Sequence, residues 1–429
     1  MIYANRKPIK KTAYVMPDVA LPTGGAWITD ARKAALASAS KYGMPQKRDE
    51  YWKYTDPTTL TSAAPTTAAI FDNKEERLFD DVDCVKVFFV DGIYNAEMSD
   101  PLDLAGVEIE TLETAGQADI HWASALYGVL ETNGQRPVPR PLAALNTATA
   151  TQGLVIRGAG KATKPVSIIY LHQDENSDAT IHHTIKLEAG ADLTILENGP
   201  AAARCNIVME VDVADSASFH HVRAQGRDHE RRAITHIFAR LGKESSFKSF
   251  TLTVNGVLTR NEAIIEFKGD DAHATVAGAC AGDGTFHHDD TVFITHDAVN
   301  CESRQVYKKV LRSGAVGVFQ GKILVQPGAQ KTDGYQISQG LLLDDNSTFQ
   351  AKPELEIYAD DVACSHGSTV GAIDETALFY LTSRGIPHGT AQDMLTLAFL
   401  GEAIEEIEDE PLSQTIRARL ERWMARRQG

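Results

Sequence analysis

Apolar and polar residues alternate with a period of two over much of the chain from about residue 153 onward. The first such runs cover residues 154–156 and 166–171, and similar runs recur through residue 357. A period of two is typical of strands that bury one face. The middle of the chain is therefore predicted to be mainly β.

Small or polar residues interrupt this alternation at regular intervals. If Ala191, Ala217, Ser245 and Ala272 are equivalent, the spacings are 26, 28 and 27 residues, and Ser347 follows after 75, close to three further units. A strand repeat of about 27 residues, with no helical pattern between the strands, predicts a β-solenoid whose turns share one core. A β-sandwich with evenly spaced turns is the alternative.

The N-terminal part has a different pattern. Residues 27–40 are rich in Ala and place apolar residues at helical intervals, and residues 119–131 predict a second helix. Between them, residues 85–90 (VKVFFV) are followed by Asp91-Gly92 and predict a strand that leads into a turn.

Helical periodicity returns after Gly371. It predicts helices over residues 374–383 and 391–407 and a last helix that begins near Pro411. The chain is thus divided into an N-terminal mainly helical domain (1–145), a β-helix core (146–370) and a C-terminal helical domain (371–429).

Composition and charge narrow the range of functions. The 429 residues carry a net charge of −16, which argues against a surface for nucleic acid or for anionic lipid. Residues 1–23 lack the apolar run of a secretory signal, and no stretch approaches the ~20 apolar residues of a membrane span. The five cysteines are scattered without CxxC spacing, which fits no disulfide framework. We predict a reduced, cytoplasmic protein that binds neither nucleic acid nor membrane.

The clearest candidate for chemistry is the run Cys364-Ser365-His366, which we place at the end of a strand over residues 354–363. Residues i and i+2 of a strand share a face, so the thiol and the imidazole would point the same way. Both are suitable ligands for iron, zinc or copper, but two ligands do not complete a tetrahedral site. The alternative is a buried cysteine beside a histidine with only a structural role.

A second cluster follows Phe286. His288, Asp290 and His296 share parity on a strand, which is compatible with metal ligation or with a solvent-facing polar edge. P-loop, GxGxxG and G-x-S-x-G motifs are absent from the sequence, so no ATP hydrolysis is predicted for this chain.

Three segments of the C-terminal half carry a specific resemblance. They are HHDDTVFITHDAVNCESRQVYKKVL (287–311), FQGKILVQPGAQKTDGYQ (319–336) and KPELEIYADDVACSHGSTVGAIDETALFYLTSRGI (352–386). Over about residues 150–410 the chain resembles the SufB/SufD family of iron–sulfur cluster assembly proteins, and within it the SufD branch.

The resemblance implies a fold and a set of partners. It implies a right-handed parallel β-helix flanked by helical N- and C-terminal domains, with SufB bound through the β-helix and the ATPase SufC docked on the C-terminal helices. The chain alone could form a homodimer. ATP hydrolysis would belong to SufC, and reduced flavin is associated with such complexes although no motif here marks a site for it.

The resemblance also implies roles for residues. The family's interface histidine falls on His366, with Cys364 beside it, which makes the two candidate ligands of a nascent Fe–S cluster at the SufB interface. The sulfur-accepting role of SufB is not transferred to Cys205, Cys280 or Cys301. The expected function is a non-enzymatic scaffold that helps to assemble the cluster and to acquire iron.

Three other functions remain possible at this stage. The chain could be a SufB-like scaffold paralogue, or a structural brace for SufB without ligand contact. A β-helix polysaccharide lyase is the third, but it would be expected to carry a secretion signal and a groove of carboxylates.

Overall fold

The structure is a computed structural model that describes residues 19–64, 66–70, 77–104, 106–226 and 230–425. Most of the segment used above to exclude a secretory signal, residues 1–18, lies outside these ranges. Within the described residues, no helix has the length and apolar character needed to cross a membrane.

Two large sheets form the body of the molecule. Sheet I contains β1 (Val85–Val90), β2 (Ile93–Asn95), β5 (Val166–Leu171), β7 (Asp192–Asn198), β9 (Ser218–Gln225), β11 (Ser246–Val254), β13 (His273–Asp283), β15 (Glu302–Arg312), β17 (Asp333–Leu342) and β19 (Ala363–Gly371). Sheet II contains β3 (Val107–Thr111), β4 (Leu154–Gly158), β6 (Asp178–Leu187), β8 (Arg204–Val213), β10 (Arg232–Leu241), β12 (Leu258–Phe267), β14 (His287–His296), β16 (Val316–Val325) and β18 (Thr348–Ile357).

From β4 onward the chain passes from one sheet to the other at each strand, and from β6 onward each strand pairs in parallel with the strand two places before it. Only the pairs β1–β2 and β3–β4 are antiparallel among the described strands. This arrangement is a parallel β-solenoid, so the predicted solenoid is confirmed and the β-sandwich is excluded.

The repeated corners explain the sequence period. Ala191, Ala217, Ser245 and Ala272 each stand immediately before an equivalent strand of sheet I, and each is almost fully buried. Each follows a residue with φ between 55° and 73°, which turns the chain. A small side chain fits inside such a tight corner, and the four positions are therefore equivalent as predicted.

The fifth predicted corner, Ser347, is wrong. It stands before β18, which belongs to sheet II. The next corners of sheet I are Cys301 and Thr332, so the spacing widens to 29 and then 31 residues. A small residue begins strands of sheet II as well, such as Ala315 before β16, and residue size alone does not distinguish the two kinds of corner.

The N-terminal region covers part of the outer face of sheet II. Its helices are α1 (Ala26–Tyr42), α2 (Thr58–Thr61), α3 (Leu112–Ala115), α4 (Val129–Asn133) and α5 (Pro141–Thr149), with 3-10 turns at Glu50–Trp52 and Trp122–Ala125. The predictions of a helix over 27–40 and a strand over 85–90 are confirmed. The helix predicted over 119–131 is wrong, because Gly128 adopts φ 73° and separates the 3-10 turn from α4.

The C-terminal helices cover part of the outer face of sheet I. They are α6 (Glu375–Thr382), α7 (His388–Ile404) and α8 (Glu410–Ala425), which confirms the three predicted helices. Leu400, Ile404, Ile416 and Leu420 are fully buried in a cluster with outward-facing residues of sheet I such as Phe250. Strands β1 to β3 of the first 145 residues join the two sheets, and the division into three domains stays a prediction.

Candidate functional site

The Cys364-Ser365-His366 run lies on β19, the last strand of sheet I. Our placement of it at the end of a strand over 354–363 is wrong, because β18 ends at Ile357 and residues 358–362 form the corner that leads into β19. Among the described residues, β19 pairs with β17 on one edge and with no strand on the other. The motif therefore stands at an open edge of the solenoid.

Cys364 and His366 both belong to the face of β19 that points to the interior between the two sheets. In-register interior neighbours on β17 and β19 are Gly334–Cys364, Gln336–His366 and Ser338–Ser368. The hydroxyl groups of the third pair are 2.8 Å apart, so paired side chains on these two strands reach each other. The predicted common face of the thiol and the imidazole is confirmed.

The two side chains differ in exposure. Cys364 is half-buried and packs against an apolar cluster that contains Ile323 and Val325. Burial raises the pKa of its thiol, so metal binding would have to displace a proton. His366 is exposed, because the rung that would cover it is missing at the end of the solenoid.

These two residues form an incomplete ligand set. Within the described residues, no group of three or more His, Cys, Asp or Glu side chains is arranged to hold a metal ion. A cysteine and a histidine two residues apart leave two positions of a four-coordinate shell open. Ligands for those positions would have to come from another molecule that docks at this edge.

The structure separates the three members of the second candidate group, His288, Asp290 and His296. His288 and Asp290 do face the interior and are 3.6 Å apart, but the Lys309 ammonium lies 2.8 Å from His288 Nδ1 and 2.6 Å from Asp290 Oδ2. His296 is in the interior at the other end of β14, where Nε2 lies 2.8 Å from the Ser303 hydroxyl. An ammonium group takes the place that a metal ion would need, so this group is an ion-pair cluster.

Sequence reasoning missed a second polar cluster in the interior. The Glu197 carboxylate accepts hydrogen bonds of 2.7 Å from Tyr170 and from Arg223, and it lies 2.7 Å from His221. Burial alone would raise the pKa of Glu197, but Arg223 and His221 outweigh this and hold the pKa well below its usual value. The alignment of turns could have found the cluster, since Glu197 and Arg223 are register partners.

A continuous series of polar contacts joins the two interior clusters. The Arg223 guanidinium donates to Thr235 at 2.8 Å, and Thr235 donates to Asn261 at 2.8 Å. Asn261 Nδ2 then lies 3.1 Å from His288 Nε2. The first step crosses from sheet I to sheet II, and the next two join adjacent strands of sheet II, so these bonds tie the sheets and successive turns together inside the solenoid.

The other interior cysteines are in environments that make their thiols unreactive. Burial raises the pKa of Cys205 to about 11 and the pKa of Cys280 to about 12, and Cys301 is buried at its corner. A thiol with such a pKa is almost entirely protonated at neutral pH and is a poor nucleophile. These environments do not suit a sulfur acceptor.

Comparison with protein families gives one match that covers more than half of the chain. Residues 170–399 match the family model described as "SUF system FeS cluster assembly, SufBD core domain". This segment runs from the fifth strand to the middle of α7 and includes the Cys364–His366 edge.

Relatives of the whole chain carry consistent names. The iron–sulfur cluster assembly protein SufD of Escherichia coli is 29% identical over 396 residues, which cover 90% of each chain. SufD of Bacillus subtilis is 25% identical over 92% of this chain and 94% of its own length. A SufBD family protein of Synechocystis is 26% identical over 89% of this chain and 87% of its own length.

Proposed function

The chain belongs to the SufB/SufD family of SUF iron–sulfur cluster assembly proteins, and on that premise we propose that it is a non-enzymatic scaffold subunit of the assembly complex. Its function in SUF iron–sulfur cluster assembly follows from the family model and from the relatives named SufD. The proposal adds that a nascent cluster is the cargo of this chain and is held at its open edge. One observation carries it: Cys364 and His366 share the interior face of an unpaired last strand.

The chemistry of the two donors suits iron as cargo. A neutral imidazole and a thiolate are ligands that iron accepts, and they stand two residues apart on one face. Because the set is incomplete, a second protein must supply the rest. This requirement distinguishes a shared, transient site from a closed structural one.

SufB is the proposed partner at this edge. The last strands of both sheets, β18 and β19, have unpaired edges among the described residues, and unpaired edges readily accept strands of another protein. Exposed apolar side chains lie on or directly after these last strands: Ile357, Tyr358 and Val370. A second copy of the chain could use the same edge, which supports the expected homodimer in the absence of SufB.

SufC is the proposed partner of the C-terminal helices. Helices α7 and α8 use their apolar residues against sheet I, whereas α6 buries only Leu378. Phe379 and Tyr380 of α6 are 72% and 55% exposed, and Met394 of α7 is 45% exposed. Exposed aromatic residues on a helix are typical anchors of a protein interface. ATP hydrolysis would then be supplied by SufC.

Other parts of the expectation rest on the resemblance or, for the location, on the pattern of cysteines and the composition of the chain. A role for reduced flavin, a role in iron acquisition and a cytosolic location stay predictions. The names of the relatives favour the SufD branch over a SufB-like paralogue. The remaining rival is a brace for SufB that contacts no cluster.

The test compares complexes of this chain with SufB and SufC, isolated without oxygen. Iron, acid-labile sulfide and visible absorbance are measured for the parent, His366→Ala and Cys364→Ser. We expect His366→Ala to lower the recovered cluster by ~10-fold or more, since loss of a ligand costs at least as much as loss of its supporting partner. Cys364→Ser should have a smaller effect, because SufB can supply sulfur ligands.

The matched control is His273→Ala. His273 is an exposed histidine on the outer face of sheet I, on β13, three strands from β19. The His273→Ala variant should leave the cluster content and the formation of the complex unchanged. Full cluster content in a His366→Ala complex would refute the ligand role and favour the brace.

A further inference from the structure

Two buried amide side chains without hydrogen-bond partners lie in the same ladder as His366. Gln305 and Gln336 are fully buried, and neither the nitrogen nor the oxygen of either amide is hydrogen-bonded within the described part of the chain. They are register partners on β15 and β17, and His366 is the next residue in the same ladder. The ladder therefore runs from two unsatisfied amides to the exposed imidazole.

The geometry brings Gln336 and His366 within reach of each other. In-register residues of adjacent strands lie about 4.8 Å apart, and their side chains on one face are neighbours. The next interior pair, Ser338 and Ser368, makes a hydrogen bond of 2.8 Å. Gln336 and His366 occupy the equivalent place two residues earlier on the same two strands.

The opposite sheet provides space for the Gln336 amide. A Cβ atom on Gly321 would lie 2.4 Å from Gln336 Oε1 and 2.6 Å from Nε2. Only glycine at position 321 leaves enough space for the Gln336 amide. The amide is therefore confined between Gly321 of sheet II and strand β19. Such confinement restricts the directions in which the amide can donate and accept.

Buried amides without partners are rare, because burial removes the water that would satisfy them. We propose that Gln336 is a positioning residue for His366: its amide bonds the inward ring nitrogen, directly or through one water, and the outward nitrogen is left to meet iron. The Gln305 amide, the register neighbour on β15, is the group placed to hold the other end of the Gln336 amide. This inference rests on the proposed function of His366 as a ligand.

The first readout is the tautomer of His366 in the isolated full-length chain. Histidine labelled with ¹⁵N reports which ring nitrogen carries the proton, and the His366 signals are identified by their loss in His366→Ala. We expect one tautomer to dominate in the parent and the tautomer ratio to change by about fivefold in Gln336→Met, the factor that one neutral hydrogen bond supplies. Gly321→Ala should produce the same change by displacing the amide.

The matched control is Gln339→Met. Gln339 is on the same strand three residues away and faces outward, so the His366 tautomer should not change. An unchanged tautomer ratio in both Gln336→Met and Gly321→Ala would overturn the inference.

The second readout is the cluster content of the complex with SufB and SufC. We expect Gln336→Met to lower it, by less than His366→Ala does. A changed tautomer with full cluster content, while His366→Ala loses the cluster, would overturn the positioning role and leave the proposed function standing. Full cluster content in His366→Ala would instead overturn the proposed function, and with it the positioning role, even where the tautomer shift is observed.

Discussion

Lys309 of sheet I donates a hydrogen bond of 2.6 Å to Asp290 of sheet II across the interior of the solenoid. The two side chains are 1% and 6% exposed, and the same ammonium contacts His288. The ion pair therefore links the two sheets where the interior is polar. Removing one partner costs more than the intact pair contributes to stability, because the other charge is then left buried without compensation.

Lys309→Met should destabilise the protein by about 3–5 kcal/mol, since methionine fills a similar volume and leaves the Asp290 carboxylate buried without its cation. The free energy of unfolding in urea at neutral pH measures this. The double variant Lys309→Met/Asp290→Asn should lose less than the single variant, because the amide carries no charge.

The control for this ion pair is Lys268→Met. Lys268 and Asp297 also pair at 2.8 Å, but both are more than 40% exposed. Loss of the Lys268–Asp297 ion pair should lower the free energy of unfolding by less than ~1 kcal/mol. Equal losses in Lys309→Met and Lys268→Met would contradict the role of burial.

Buried histidines should make stability depend on pH above the range of the carboxylates. Burial lowers the pKa of His183, His236 and His296 from 6.5 to about 4. Between these values the unfolded chain binds protons that the folded chain does not. The stabilisation from these three histidines is thus complete above about pH 6.5 and is lost as the pH falls toward 4, and together they account for about three of the protons taken up on unfolding near pH 5.

The measurement is the free energy of unfolding at a series of pH values. The three histidines together contribute a slope of about 4 kcal/mol per pH unit. His183→Gln should reduce the uptake by about one proton. A flat profile between pH 6.5 and 4.5 would show that these histidines are already protonated in the folded chain.

The aromatic pair of α6 should control binding of SufC. Replacing Phe379 and Tyr380 by Ser removes two exposed anchors without touching the helices that pack on sheet I, so SufC binding should weaken by about 10-fold or more while SufB binding is kept. Calorimetry with each partner measures both affinities. Ile120→Ser, at a 92% exposed apolar residue of the N-terminal region, is the control. Unchanged SufC affinity in the double variant would exclude α6 from the interface.

The free edge of β19 should control binding of SufB. The Ala363 amide donates to Thr332 of the neighbouring chain segment, so amides of even-numbered residues on β19 point to the open edge. Val370→Pro removes one of these donors without removing a side-chain hydrogen bond, and it should weaken SufB binding by about 2- to 10-fold. Urea unfolding of the isolated variant should stay near that of the parent, because proline is tolerated on an edge strand. Parent-like SufB affinity would argue against strand pairing at this edge.

Local pattern was enough to establish much of the architecture. The alternation of residues, the small corner residues such as Ala217 and Ala272, and the apolar faces of the C-terminal helices all arise from interactions within one turn or one helix. The shared face of Cys364 and His366 also follows from strand geometry alone. The sequence therefore predicted the solenoid, its flanking helices and the orientation of the candidate ligands.

Tertiary structure decided the rest, because the relevant partners are one or more turns apart in sequence. Glu197 meets Arg223 and His221, which follow it by 26 and 24 residues, only when successive turns are stacked in register. Lys309 enters the His288 cluster from the other sheet, and His366 is exposed only because no further rung covers it. A residue's type and parity fix the face on which it lies, but burial and partners depend on the neighbouring rungs, and only the stacked structure determines those.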